Sequence, residues 1–181
     1  VKTIILSDDL KAPAKNFCDE IIITDYNKLK KIDDFLSKVD FVTFEFENIP
    51  FEVLDHISKR KPVYPKPSIN QIVQNRFTEK KFVNKQGIKT TNYALIKDKS
   101  DLLKNETLLP GFLKTCTLGY DGKGQFVINN IDEVYELSID YKKEHILEKK
   151  VNFKKEISVI ITRYLNNDCL IYEPIENLHI N

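Results

Sequence analysis

Apolar and polar positions along the 181 residues change rhythm about a third of the way in. Apolar residues cluster at 3–6 and 20–23, which reads as two short strands, with a helical turn at 12–16 between them. Leu29, Ile32, Phe35 and Leu36 recur at helical spacing, so 26–38 is expected to be a helix. Residues 41–46 read as a strand, and 50–59 as a helix carrying Phe51, Val53, Leu54 and Ile57. Val63 and Tyr64 add a last short strand. Strands alternating with helices predict a parallel sheet covered by helices.

Pro62, Pro65 and Pro67 then interrupt the chain, and the domain boundary is placed there, dividing 1–67 from 68–181. Beyond it Ser68 is expected to cap one helix and Asn75 or Thr78 to start the next, which runs over 76–86 and stops at Gly87. Residues 93–96 read as a strand, and a short helix opens at Ser100. Two strands, 111–115 and 125–128, flank a glycine loop. Residues 131–141 read as helix, 145–149 as strand, and 155–164 as an alternating strand. A turn at Asn166, Asn167 and Asp168 sends 169–173 back. This second part mixes antiparallel strands with helices, so the chain as a whole is α/β followed by α+β.

Composition adds limits. Hydrophobic residues make up 41% and charged residues 30%, enough for a core and a soluble surface. A net charge of +1 gives no case for nucleic acid or an anionic membrane. No apolar run reaches the roughly 18–20 residues that span a bilayer. Three cysteines without metal-ligand spacing read as reduced thiols of a cytoplasmic protein. The chain has no methionine, even at position 1, and is expected to be a fragment cut at both ends.

Three of the five glycines, Gly119, Gly122 and Gly124, fall within six residues. Lys114 stands before this loop and Lys123 within it. Glycine-rich backbone with ammonium groups between two strands can hold phosphate. An ordinary hairpin turn with surface lysines fits the loop alone equally well. Glu148 and Glu156 can accept hydrogen bonds from ribose hydroxyls or an amino group, yet two glutamates by themselves read as surface charge. Arg76 opens a helix, and His179 is one of three histidines; each alone is unremarkable. Glu45 and Glu47 are read as a solvated edge.

The order of these segments carries more than any one of them. Asn75-Arg76-Phe77-Thr78-Glu79-Lys80, Leu113-Lys114-Thr115 and Gly119-Tyr120-Asp121-Gly122-Lys123-Gly124-Gln125 resemble ATP-grasp ligases of the 5-(carboxyamino)imidazole ribonucleotide synthetase family, the ATPase subunits of phosphoribosylaminoimidazole carboxylase. Residues 43–49, 146–148, 156–160 and 176–179 match further segments of that family in order. The resemblance covers nearly the whole chain. It departs at Leu118, where the family usually has glycine.

The resemblance implies an incomplete ATP-grasp fold: a parallel-sheet pre-ATP-grasp domain over 1–67, then over 68–181 the ATP-binding lid subdomain and the start of a C-terminal antiparallel sheet. It implies that ATP phosphorylates bicarbonate and that the carboxyl group passes to the amine of 5-aminoimidazole ribonucleotide, in purine biosynthesis. Arg76 and Lys114 would contact the ATP phosphates. Gly119, Tyr120, Asp121, Gly122, Lys123, Gly124 and Gln125 would form the lid, with Tyr120 and Asp121 also facing the imidazole nucleotide. Glu148, Lys149, Lys150 and Val151 would lie along adenine, Glu156 would take the ribose hydroxyls, and His179 would sit near the phosphates. Magnesium ligands and the catalytic groups would follow Asn181, so no metal site is expected within the segment, and the segment alone is expected not to turn over. The family also suggests a homodimer. A formate-dependent glycinamide ribonucleotide transformylase, a non-catalytic ATP-binding module and a purely structural α/β protein are the rivals.

Overall fold

A computed structural model describes residues 1–119 and 124–178. The chain divides into two compact units, Val1–Lys149 and Lys150–Asn181.

In the first unit, β1 (Ile4–Ser7) and β2 (Glu20–Ile23) pair in parallel, joined by a 3-10 turn at Pro13–Phe17. Helix α1 (Leu29–Leu36) follows. It buries Ile32, Phe35 and Leu36, the stripe expected from its spacing. Strand β3 (Val42–Thr43), helix α2 (Phe51–Ser58) and strand β4 (Val63–Tyr64) come next, and β3 and β4 are again parallel. Buried Val53 and Ile57 of α2 join Ile32, Phe35, Leu36, Val42 and Val63 in one core cluster. Asp33 on α1 ties the two helices together, accepting from His56 at 2.8 Å and pairing with Arg60. The parallel connections agree with the rhythm of the sequence. The strand expected over 41–46 is shorter, because its partner β4 runs into Pro65, which has no N–H for a ladder. A cavity of about 670 Å³ lies in this part, lined by Ile5, Val42, Phe44 and Leu54 among others.

Helix α3 (Pro67–Val73) opens on proline, which needs no partner for a missing N–H, and Lys66 stands before it without a side-chain cap bond, so Ser68 is inside the helix and does not cap it. Helix α4 (Arg76–Lys85) begins at Asn75 as expected: its side-chain oxygen accepts from the N–H groups of Phe77 and Thr78 at 3.0 and 3.1 Å. Strand β5 (Tyr93–Ile96) leads to α5 (Lys99–Lys104), which is capped by Asp98 and starts one residue before the Ser100 start read from the sequence.

Strands β6 (Gly111–Thr115), β7 (Gln125–Ile128) and β8 (His145–Lys149) join β5 in an antiparallel four-stranded sheet, ordered β5-β8-β6-β7. Between β7 and β8, helix α6 (Glu133–Glu136) is a single turn and not the helix expected over 131–141. Leu137 is already extended. Leu137, Ile139 and Tyr141 then reach the core at a spacing of two, so an extended segment buries them better than a helix would.

Side chains alternate across this sheet. Ile96, Leu113, Ile128 and Leu147 face a second core cluster with Leu102, Leu108 and Val134. The opposite face carries Tyr93, Phe112, Lys114, Gln125, Val127 and Glu148. At Gly111 the ladder leaves no room for a side chain. A Cβ there would meet the carbonyl oxygens of Leu108 and Glu148 at 2.8 and 2.9 Å, so only glycine fits.

The second unit holds β9 (Glu156–Ser158), β10 (Ile161–Arg163), β11 (Cys169–Ile171) and β12 (Ile175–Asn177). The single strand expected over 155–164 is two strands with different antiparallel partners: β9 pairs with β12 and β10 with β11. The turn between β10 and β11 holds Asn167 at φ +72°, a backbone region that asparagine tolerates.

Candidate functional site

The polar face of the four-stranded sheet is where charged groups converge. Glu148 lies on β8, between β5 and β6, opposite Tyr93 on one side and Phe112 on the other. Lys114 is two residues along β6 from Phe112, on the same face and diagonal to Glu148. Its Nζ donates to Glu148 Oε2 at 2.9 Å. The second carboxylate oxygen, Oε1, lies 3.4 Å from the Nζ of Lys80 on α4. The glutamate side chain is only 11% exposed. A carboxylate at that depth needs cations on it, and here each oxygen has one.

Helix α4 is fixed to the entrance of the glycine loop. The Arg76 N–H donates to the Cys116 carbonyl at 2.9 Å, and its Nη2 donates to the Gly119 carbonyl at 2.6 Å. Across the loop, the Thr115 N–H donates to the Gly124 carbonyl at 3.0 Å. Gly124 has φ +70°, and a Cβ there would press on the Thr115 side chain at 3.0 Å. Leu118 also has positive φ, +58°, without being glycine. The residue that departs from the family pattern therefore sits where glycine would be relaxed.

Burial pushes the Glu79 carboxyl above the usual carboxylate range, and the Glu47 charge adds to it; the Arg76 and Lys80 cations oppose both. Burial likewise pushes the Cys116 thiol, at the end of β6, up to about 11.

Of the residues expected at a nucleotide site, Arg76, Lys114, Gly119, Gly124, Gln125 and Glu148 are brought to the same sheet face and loop entrance. Lys149 is not. Its side chain alternates to the other face, where Nζ donates to the Thr107 carbonyl at 3.3 Å, and its N–H donates to the Asn92 carbonyl at 2.9 Å. Lys150, Val151 and Glu156 belong to the second unit; Glu156 Oε1 accepts from Asn177 Nδ2 at 3.0 Å. Tyr120, Asp121, Gly122, Lys123 and His179 lie outside the described residues. The sequence reading missed Lys80 as a member of the site. The signal was its position one helical turn after Arg76, on the same face of α4.

Among the described residues no group of three or more His, Cys, Asp or Glu side chains could hold a metal ion. No helix among them is long and apolar enough to cross a membrane.

The arrangement can present Arg76 and Lys114 to an anion beside a glycine turn, the groups that phosphate recognition uses. The chain belongs to the ATP-grasp family: the model of the ATP-grasp domain matches residues 81–181, and that of the ribonucleotide synthetase preATP-grasp domain matches residues 1–74. Together with the fold, these matches make the chain part of an ATP-grasp protein.

Within that family it is similar to N5-carboxyaminoimidazole ribonucleotide synthases. It is 35% identical over 183 residues to the one from Brucella melitensis biotype 1, covering 98% of this chain and 51% of that protein. It is 38% identical over 176 residues to the one from Bacillus subtilis (strain 168), covering 94% and 46%. The crystal structure of N5-carboxyaminoimidazole synthetase from Staphylococcus aureus complexed with ADP superposes with a TM-score of 0.90 at 31% identity, over 99% of this chain and 49% of that one. The chain thus spans about half the length of the curated relatives it matches.

Proposed function

We propose that the protein to which this chain belongs is an ATP-dependent ligase that carboxylates 5-aminoimidazole ribonucleotide with bicarbonate, through carboxyphosphate, to the 5-(carboxyamino) product. The observation that carries the reading is the sheet face itself: Lys114 on Glu148, with Arg76 bonded to the backbone that enters the glycine loop. The similar Staphylococcus aureus enzyme was solved with ADP, which supports a nucleotide at a site of this fold.

In this reading Lys114 and Arg76 neutralise ATP phosphate charge, and the loop from Gly119 to Gln125 closes over the phosphates. Phosphoryl transfer needs charge neutralisation and positioning more than covalent help, and a closed loop keeps water from carboxyphosphate. Backbone groups of Glu148, Lys149, Lys150 and Val151 are proposed for the adenine edge, Glu156 for the ribose hydroxyls, His179 for the phosphate end, and Tyr120 and Asp121 for the imidazole nucleotide, all on the family resemblance. Magnesium, a homodimer, a cytoplasmic location and a domain boundary after residue 67 complete the proposal on the same ground.

The test is ADP formation by the full-length protein. It is expected to require both 5-aminoimidazole ribonucleotide and bicarbonate. Dependence on formate with glycinamide ribonucleotide would replace this reading with the transformylase.

A further inference from the structure

We propose that Lys80 is a positioning residue for Lys114: it holds Glu148 so that Lys114 can leave the carboxylate for a phosphate. The proposal rests on the nucleotide reading above and adds a residue to it.

The geometry poses a problem that Lys80 solves. Lys114 Nζ is 2.9 Å from Glu148 Oε2. To bond a phosphate oxygen, that ammonium must weaken or give up its bond to the carboxylate. Glu148 is 11% exposed, and a carboxylate at that depth deprived of its cation is strongly destabilised. With Lys114 as sole partner, the ion pair would compete directly against ATP. Lys80 removes the conflict because it sits on the other oxygen, at 3.4 Å. When Lys114 turns to a phosphate, the carboxylate keeps a cation.

Lys80 is itself held in place. Its Nζ lies 5.9 Å from the centre of the Tyr93 ring, and Phe77, from the same helix, packs edge-on against that ring at 5.8 Å. The side chain is 19% exposed, less than the 24% of Lys114. Helix α4 is pinned at its start by the Asn75 cap and by the bond from Arg76 to the Cys116 carbonyl. Among the described residues, Lys80 from α4 and Lys114 from β6 pair with Glu148, Tyr93 of β5 stands opposite it, and Glu79 of α4 is within electrostatic reach. Lys80 makes its ion pair with Glu148, on the neighbouring strand β8. Lys80 acts on Glu148, and through it on Lys114, without touching nucleotide.

The experiment is calorimetric titration of the full-length protein with ATP and, separately, with adenosine. Lys80→Met keeps the stem over Tyr93 and removes the charge. It is expected to weaken ATP about tenfold and leave adenosine unchanged. Lys80→Arg is expected to stay within about twofold of wild type, since it keeps a cation on Oε1. Adding Glu148→Gln to Lys80→Met is expected to recover most of the lost affinity, because a neutral amide needs no cation. Lys80→Gln serves if Lys80→Met does not fold. Equal ATP binding by wild type and Lys80→Met overturns the role of Lys80 alone. So does a parallel loss of ATP and adenosine, or no recovery on adding Glu148→Gln. Wild-type protein that binds no ATP overturns the nucleotide reading, and this proposal with it.

Discussion

Arg76 and Gly119 are 43 residues apart in sequence, yet the arginine Nη2 donates to the glycine carbonyl oxygen at 2.6 Å. A helix start and a loop entrance are thereby made one unit. The same arginine's backbone N–H holds the Cys116 carbonyl, so side chain and main chain grip neighbouring points of the loop. Replacing Arg76 with alanine is expected to cost about 1.5–3 kcal/mol of folding stability, the usual range for a hydrogen bond to a charged group. Urea unfolding of the two proteins measures it. An unchanged midpoint would show that the guanidinium contributes nothing to the loop's anchorage.

Leu118 occupies the left-handed backbone region at φ +58°. A residue with a Cβ is strained there by roughly 1–2 kcal/mol, and glycine is not. Leu118→Gly is expected to stabilise the fold by about 1 kcal/mol. The side chain is exposed, so little packing is lost. A lower melting temperature for the glycine variant would count against a strained Leu118.

Gly111→Ala is expected to go the other way. Its Cβ would come within 2.8 and 2.9 Å of two backbone oxygens, which have no rotamer to relax into. A loss of about 3 kcal/mol is expected, the upper end for overpacking. Chemical denaturation would read it, and a neutral substitution would mean that the β6–β8 spacing is looser than the structure has it.

His145 is 2% exposed, and its Nδ1 has no hydrogen-bond partner. Burial pulls the imidazole below its ordinary value of 6.5, against smaller opposing effects from the Lys143 backbone and Asp140. The folded state therefore disfavours the charged ring. Stability from this group is complete above about pH 6.5 and is lost as the pH falls toward the lower folded value. His145→Phe is expected to flatten that acid slope between pH 7 and 5. If the variant and the wild type lose stability in parallel over that window, another group is responsible.

Cys116 is 1% exposed, with its thiol raised to about 11. At pH 8 almost none of it is thiolate, the form that reacts. Ellman's reagent is expected to modify Cys116 only when the protein is unfolded. Rapid modification in the native state, located by peptide mapping, would contradict the burial of the β6 end.

Much of this could be seen in the sequence, for physical reasons. The stripe of Ile32, Phe35 and Leu36 and the cap at Asn75 are local signals, and both appear where the spacing put them. Lys114, Glu148 and the glycines were singled out by order along the chain, and the sheet brings Lys114 and Glu148 together. What stayed hidden depends on contacts between distant segments. The helix expected after residue 131 is mostly extended because Leu137, Ile139 and Tyr141 answer to the core and not to local propensity. Lys80 could be recognised only once α4 was laid across the sheet and its ammonium met a carboxylate 68 residues further on.

Strand β8 is bonded along both edges, to β5 and to β6. It cannot slide by one residue without breaking two ladders at once and turning Glu148 inward. The negative charge of this cluster is thus anchored to the frame, while its positive partners hang from long, rotatable tethers. Adaptation of such a site to a different anion can proceed through the tethers, one lysine at a time, with the frame left as it is.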